Sequence, residues 1–177
     1  MLVRVRASAL NRADLLQRAG RYPAPPGSPA DIPGLEIAGE VADAGQAATR
    51  WRAGDRVFGI IGGGGNAEFA TLHEDELARI PDGMSWEDAA AVPEAFITAH
   101  DALVTQAGMR AGERVLVHAV GSGVGLAAIQ LARAMGALPF GTARTADKVE
   151  RARAFGLDGG AIVTEAAAIR DAVREWA

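Results

Sequence analysis

The chain has 177 residues, 49% hydrophobic and 23% charged, and its 22 glycines and 8 prolines punctuate it without forming a tract, so it is a packed globular protein and not a disordered one. A net charge of −4, with basic residues scattered among acids, excludes the electrostatic footprint of a nucleic-acid binder. The absence of cysteine removes disulfides, thiolate nucleophiles and cysteine-ligated zinc, and with no bilayer-length apolar run and no signal-peptide core a soluble cytoplasmic protein off the membrane is expected.

Leu2 to Arg6 alternates apolar and charged residues, as a half-buried strand does. Asn11 to Arg21 has helical composition and must stop at Pro23-Ala24-Pro25-Pro26-Gly27. Gly34 to Val41 and Arg56 to Ile61 read as strands, and Gly34 and Gly39 point to bends or close backbone approach. Gly62-Gly63-Gly64-Gly65 turns the chain into a strand from Ala67 to Leu72, and this first part is expected to form an irregular β-barrel. Ser85 with Asp88 makes a capping-box variant before Ala89-Ala90-Ala91, and Pro93-Glu94 starts a helix through Leu103. The domain boundary is placed here, dividing residues 1–92 from 93–177. Beyond it come a strand (Arg114 to His118), a helix (Val124 to Met135, closed by Gly136), a strand (Leu138 to Ala143), a helix (Ala146 to Phe155, closed by Gly156), a strand (Ala161 to Val163) and a helix (Glu165 to Trp176). This βαβαβα order predicts a parallel sheet with right-handed crossovers.

A doubly wound nucleotide fold has two such halves, and only three strands precede the last helix. The first strand also begins with no preceding hairpin to cover its edge. The chain is therefore expected to be an internal segment of a longer protein, or one truncated at both ends.

Between the apolar run Arg114-Val115-Leu116-Val117-His118 and the helix after it lies Ala119-Val120-Gly121-Ser122-Gly123-Val124-Gly125. A glycine-rich strand-to-helix turn lets backbone N–H groups approach a pyrophosphate, and the helix dipole favours its charge. Leu126 departs from a strict G-x-G-x-x-G, so the loop also fits a turn whose glycines serve packing alone. An NAD site carries an acid at the end of the next strand to hold the ribose hydroxyls. Here that strand, Leu138 to Thr142, runs into Ala143-Arg144-Thr145, and the nearest acid, Asp147, is already in the following helix. The pattern favours NADPH, with Arg144 on the 2′-phosphate and Thr142, Thr145 and the chain's only lysine, Lys148, as neighbours. The plainer reading is a solvated helix start, although cations there oppose the dipole.

Several segments in one order carry a family likeness: Ala9-Leu10-Asn11-Arg12-Ala13-Asp14-Leu15-Leu16-Gln17-Arg18, Gly20-Arg21-Tyr22-Pro23, Gly34-Leu35-Glu36-Ile37-Ala38-Gly39, Gly54-Asp55-Arg56-Val57, Pro93-Glu94-Ala95-Phe96-Ile97-Thr98-Ala99 and His118 through Leu131. With them the sequence resembles the zinc-free quinone oxidoreductases of the medium-chain dehydrogenase/reductase superfamily over essentially its whole length. The resemblance implies a partial GroES-like barrel followed by the first half of a Rossmann doubly wound parallel sheet, with NADPH as cofactor and hydride transfer to a quinone or related enone. It implies that Asn11 and Tyr22 line the nicotinamide and substrate pocket as the catalytic pair, and that Thr98 contacts the cofactor. Ser122, Gly123, Val124 and Gly125 would hold the pyrophosphate, and a full-length member would be a homodimer. Asn11 stands where zinc-dependent relatives have a cysteine, and Gly34-Leu35-Glu36 lacks their histidine, so no zinc is expected. Two positions depart from the pattern: Asn66 replaces an aromatic residue after the glycine run, and Thr164 a tyrosine after the third strand of the second domain.

Other readings stand beside this one. His73, His100 and His118 are not spaced as a metal set and are read as structural. Asp14 and Glu36 form an acid/base pair, or else a salt bridge to Arg12 or Arg18, and Tyr22 packs its loop or donates a proton. The function is then quinone or enone reduction; or that of a non-catalytic binding module or fragment; or that of an enoyl-reducing module of a larger synthase.

Overall fold

The computed structural model describes residues 1–163 and 166–176. Thr164, and Glu165 as the start of the last helix, lie outside the described residues. The chain forms two compact units, Met1–Glu94 and Ala95–Ala177, dividing two residues past the boundary placed from the sequence.

In the first unit, β1 (Leu2–Ser8), α1 (Arg12–Arg18), β2 (Glu36–Asp43), β3 (Arg56–Ile60), β4 (Phe69–Thr71), β5 (Leu77–Arg79) and α2 (Trp86–Ala90) follow in order. The strands make one antiparallel sheet in the order β4-β1-β2-β3-β5. β1 is therefore not the uncovered edge expected from the sequence, because β4 pairs along it with Val3 opposite Ala70. β5 has no counterpart in the sequence reading, being three residues long with one buried side chain, Leu77. Alternation in β1 turns Val3 inward, where it joins Ile37, Val41, Val57, Leu72 and Leu77. Each such side chain contributes roughly 1.5–3 kcal/mol on burial. α2 starts at Ser85, whose hydroxyl accepts from Asp88 N–H, and packs Ala89 and Ala90 against Ala38 and Ile80. Gly39 is needed for close approach, as a side chain there would run into the Arg4 carbonyl.

The helix α3 (Pro93–His100) crosses the division. In the second unit it runs on into a π-helical stretch, Asp101–Gln106, where a regular helix to Leu103 was expected. The widened turn closes with Ala107 N–H on the Ala102 carbonyl and Met109 N–H on that of Leu103. It lets Leu103 and Met109 pack together with Ala132 and Ala137.

β6 (Arg114–Val117), α4 (Gly123–Ala134), β7 (Leu138–Ala143), α5 (Ala146–Arg153), β8 (Gly159–Ile162) and α6 (Ala166–Trp176) then give the expected βαβαβα unit. Its sheet is parallel, in the order β6-β7-β8. β7 is central and buried from Pro139 to Ala143, and α4 lays Ala127, Ala128, Ile129 and Ala132 into the core. β8 begins two residues earlier than the sequence suggested. Its first glycine lies opposite Phe140, and a β-carbon at Gly159 would stand 2.8 Å from Phe140 Cδ2 and 2.9 Å from Trp176 Cδ1. The rings fill the space that a side chain at Gly159 would need, so a pair of weak strand formers is retained there.

Candidate functional site

The residues at the ends of β6 and β7 enclose a cavity of about 440 Å³ in the second unit. Its lining comprises His118, Ala119, Gly121 and Ser122 from the loop after β6, Thr142, Ala143 and Arg144 from the end of β7, Lys148 from α5, and Val163 after β8. Ligands of open α/β sheets bind at this carboxyl edge of the strands.

Local chemistry builds the loop. Ala119 has φ of 53° and is the one non-glycine residue in the left-handed region among those described. This kink sends Val120 N–H to the Thr142 carbonyl at 2.9 Å, tying the loop to β7, and Ser122 N–H back to the Ala119 carbonyl at 2.9 Å. Ser122 caps α4, its Oγ accepting from Gly125 N–H at 3.1 Å. A β-carbon at Gly125 would meet Ala119 O at 2.7 Å and Val120 Cα and O at 2.9 Å, whereas one at Gly123 would meet nothing within 4 Å. At Gly121 it would touch the Lys148 stem at 3.1 Å, so the lysine lies across a glycine.

Of the residues expected on the cofactor, Ser122, Thr142, Arg144 and Lys148 come together in this cavity, while Thr98, Gly123, Val124 and Gly125 are not in its lining. Gly123, Val124 and Gly125 form the first turn of α4, and Thr98 is exposed on α3. Among the described residues no acid lines the cavity, and neither Arg144 nor Lys148 forms a salt bridge. Asp147 is held ionised, below its ordinary 3.8, first by the Thr145 hydroxyl and more weakly by its own N–H and the Lys148 charge. Two cations without acids around a glycine loop suit a phosphate-bearing nucleotide. His118, read from the sequence as structural, stands in the lining, its Nδ1 2.9 Å from Thr142 Oγ1. The signal lay in a pairing across 24 residues that no local pattern records.

The first unit holds the other predicted residues. Asn11 precedes α1, and its Nδ2 donates to Glu36 Oε1 at 2.6 Å. Glu36 is 2% exposed, and its other oxygen accepts from Glu94 N–H at 2.8 Å. Burial pushes the Glu36 carboxyl above its ordinary 4.5, these hydrogen bonds oppose the rise, and the Asp14 charge adds to it. Asp14 accepts from Asn11 N–H at 2.6 Å and Gly34 N–H at 2.9 Å. Neither acid pairs with Arg12 or Arg18; backbone and amide donors satisfy them instead, which corrects the salt-bridge reading. Tyr22 is exposed on the loop after α1, and its hydroxyl makes no hydrogen bond among the described residues. Asn11 is thus fixed by a buried network, and Tyr22 is not part of it.

Among the described residues no three His, Asp or Glu side chains group to hold a metal ion, and no helix is long and apolar enough to cross a membrane. Residues 1–82 match the alcohol dehydrogenase GroES-like domain family. The chain is 46% identical over 156 residues to the polyketide synthase GfsB of Streptomyces halstedii, covering 88% of this chain and 3% of that protein. It is 42% identical over 155 residues to a quinone oxidoreductase of Pseudomonas aeruginosa, covering 87% of this chain and 47% of that one. Among solved structures, the CurK enoyl reductase superposes with a TM-score of 0.87 at 31% identity, covering 99% of this chain and 55% of that one. The quinone oxidoreductase of Thermus thermophilus, also solved in complex with NADPH, superposes at 0.81 with 34% identity, covering 99% and 54%. The chain spans about half the length of the single-enzyme relatives it matches.

Proposed function

Because the chain belongs to the medium-chain dehydrogenase/reductase superfamily as a quinone oxidoreductase-like member, we propose that it takes part in NADPH-dependent, zinc-free hydride transfer to a quinone or related enone. The observation that carries this reading is the cavity at the end of β7, lined by Arg144 and Lys148 and by no acid among the described residues, where an NAD site would present a carboxylate on that strand's end. Bound NADPH would supply hydride from its nicotinamide ring. The chain's own residues do the rest. The N–H groups of Gly121 and Gly123 and the N-terminus of α4 face the pyrophosphate in this reading, Ser122 N–H being spent on the Ala119 carbonyl, and Arg144 and Lys148 hold the 2′-phosphate. Asn11 spends one amide hydrogen on Glu36 and keeps the second for the acceptor's oxygen. Tyr22, whose hydroxyl has no hydrogen-bond partner among the described residues, or a water supplies the proton. A quinone already accepts hydride readily, so it needs orientation and a hydrogen bond more than a Lewis acid.

A second reading keeps the cofactor and changes the acceptor to an enoyl thioester on a larger synthase. It is favoured by the 46% identity to GfsB and by the likeness to the CurK enoyl reductase.

Titration of the protein with NADPH and NADH, followed by nicotinamide fluorescence, tests the cofactor. NADPH should bind at least about tenfold more tightly, and Arg144→Ala should erase the difference. Failure to bind either cofactor sinks the proposal, and a preference for NADH refutes the role of Arg144 and Lys148. Loss of NADPH absorbance on adding a simple quinone supports the first reading; faster loss with a trans-2-enoyl thioester selects the second.

A further inference from the structure

The Thr142 side chain is fully buried in the central strand, and its hydroxyl oxygen lies 2.9 Å from His118 Nδ1. A buried hydroxyl must place its proton, and His118 Nδ1 is the partner of this one among the described residues. If the hydroxyl donates, Nδ1 accepts, and the neutral ring carries its own proton on Nε2. His118 is exposed at the end of β6 and lines the same cavity as Arg144 and Lys148. Among the described residues no Asp or Glu belongs to that lining, and the ring has no other hydrogen-bond partner. A ring whose Nδ1 is engaged by a buried hydroxyl and whose Nε2 has no partner among the described residues, beside two cations that form no salt bridge there, is chemistry suited to a group offering several anionic oxygens.

On these grounds, and resting on the reading that the cavity holds NADPH, we infer that His118 is a third recognition residue for the cofactor's 2′-phosphate. It donates Nε2–H to that phosphate, and Thr142 is the positioning residue that fixes its tautomer. The three donors come from three elements, the end of β6, the end of β7 and the first turn of α5, so a single phosphate would tie them together.

The test uses 2′,5′-ADP and 5′-AMP, which differ in the 2′-phosphate, titrated calorimetrically into the wild-type protein and variants. His118→Ala should weaken 2′,5′-ADP about tenfold and leave 5′-AMP within about twofold. His118→Gln, which keeps an N–H donor, should recover part of the loss. Thr142→Val, which keeps the shape and removes the hydroxyl, should weaken 2′,5′-ADP about twofold to fivefold in the wild-type background and have no effect beside His118→Ala. Thr142→Ser keeps the hydroxyl and should bind as wild type, separating loss of the hydrogen bond from loss of packing. Equal weakening of both nucleotides by His118→Ala, no weakening of either, or full additivity of Thr142→Val with it overturns the inference. If the wild type does not discriminate between the two nucleotides, the NADPH reading itself falls; if it does and His118→Ala matches it, only the role of His118 falls.

Discussion

Replacing Gly125 by alanine should destabilise the second unit, while the same change two residues earlier, at Gly123, should leave it at least as stable. Both sit in the first turn of α4, where alanine's better helix propensity is worth up to about 1 kcal/mol. At Gly125 the new β-carbon would lie 2.7 Å from Ala119 O and 2.9 Å from Val120 Cα and O, all backbone atoms, against the 3.4–4 Å of ordinary contact. The loop must shift by about half an ångström or more, and overpacking of this kind costs about 1–3 kcal/mol. Net of the propensity gain, the loss is about 1–2 kcal/mol, or roughly 4–16 °C in Tm for a unit of this size. At Gly123 no atom lies within 4 Å, so only the gain remains. The Gly123 β-carbon does enter open space beside the loop N–H groups, where a pyrophosphate must come close. Gly123→Ala should therefore bind NADPH at least about tenfold more weakly while unfolding at or above the wild-type midpoint. Thermal unfolding and NADPH fluorescence titration on the two variants decide the matter. A Gly125→Ala protein melting with the wild type, or a Gly123→Ala protein binding NADPH undiminished, refutes the assignment of one glycine to packing and the other to the ligand.

Ala119→Val should lower the unfolding free energy from a urea titration by about 1–2 kcal/mol at unchanged m-value, because φ of 53° is costly for a β-branched residue, whereas Ala119→Gly should be tolerated. Burial, and then the charges of Glu36 and Asp14, raise Glu94 above 4.5; burial also raises Glu36. Carboxyls with raised folded-state values contribute stability that is present below about 4.5 and lost as pH rises through the raised values. Wild-type stability should thus decline from pH 4.5 towards neutrality, and Glu94→Gln should flatten that decline; urea midpoints across pH check it, and an unchanged or steeper decline in the variant counts against it. On the acid side Asp55 and Glu74, held below their ordinary values chiefly by backbone N–H donors, lose their contribution as pH falls through the lowered values. Trp176 donates Nε1–H to Asp158 at 2.6 Å and lies 5.1 Å from the Phe140 ring, so Trp176→Ala should cost about 2–3 kcal/mol in an unfolding titration.

The second unit was legible because its signals are local. Strand runs of apolar residues, helices closed by Gly136 and Gly156, and the loop between β6 and α4 occur in an order that permits one sheet topology. β8 slipped by two residues because Gly159 and Gly160 are weak strand formers held there by Phe140, Trp176 and the register with β7. The first unit was read less well for the same reason. β5 contributes one buried side chain, and its existence depends on pairing with β3, which brings Val57 opposite Arg79. The apparent bare edge of β1 came from treating chain order as sheet order. β4, far later in the chain, supplies the missing neighbour, with Thr71 opposite Leu2.

The site divides along the same line. Ser122, Arg144 and Lys148 could be placed together from sequence because two consecutive βα units bring their loops to one edge of a parallel sheet. What spacing could not carry was the hydrogen-bonded state of each group. The resemblance puts Asn11 in the substrate pocket but says nothing of its partners, and one of its amide hydrogens goes to Glu36, a carboxylate whose burial is supported by Asn11 and the Glu94 N–H. His118 reads as structural because the three histidines are not spaced as a metal set, while its hydrogen-bond partner, Thr142 Oγ1, is on the next strand. Burial and long-range partners decide which end of a side chain is left to meet a ligand, and those are properties of the assembled sheet. For this chain the consequence is specific: Lys148 and Arg144 can attract a phosphate wherever they sit on the surface. In the proposed reading Arg144 and Lys148 supply the charge that selects the 2′-phosphate, and His118 adds to them a donor whose direction depends on its hydrogen bond to a threonine buried in the core.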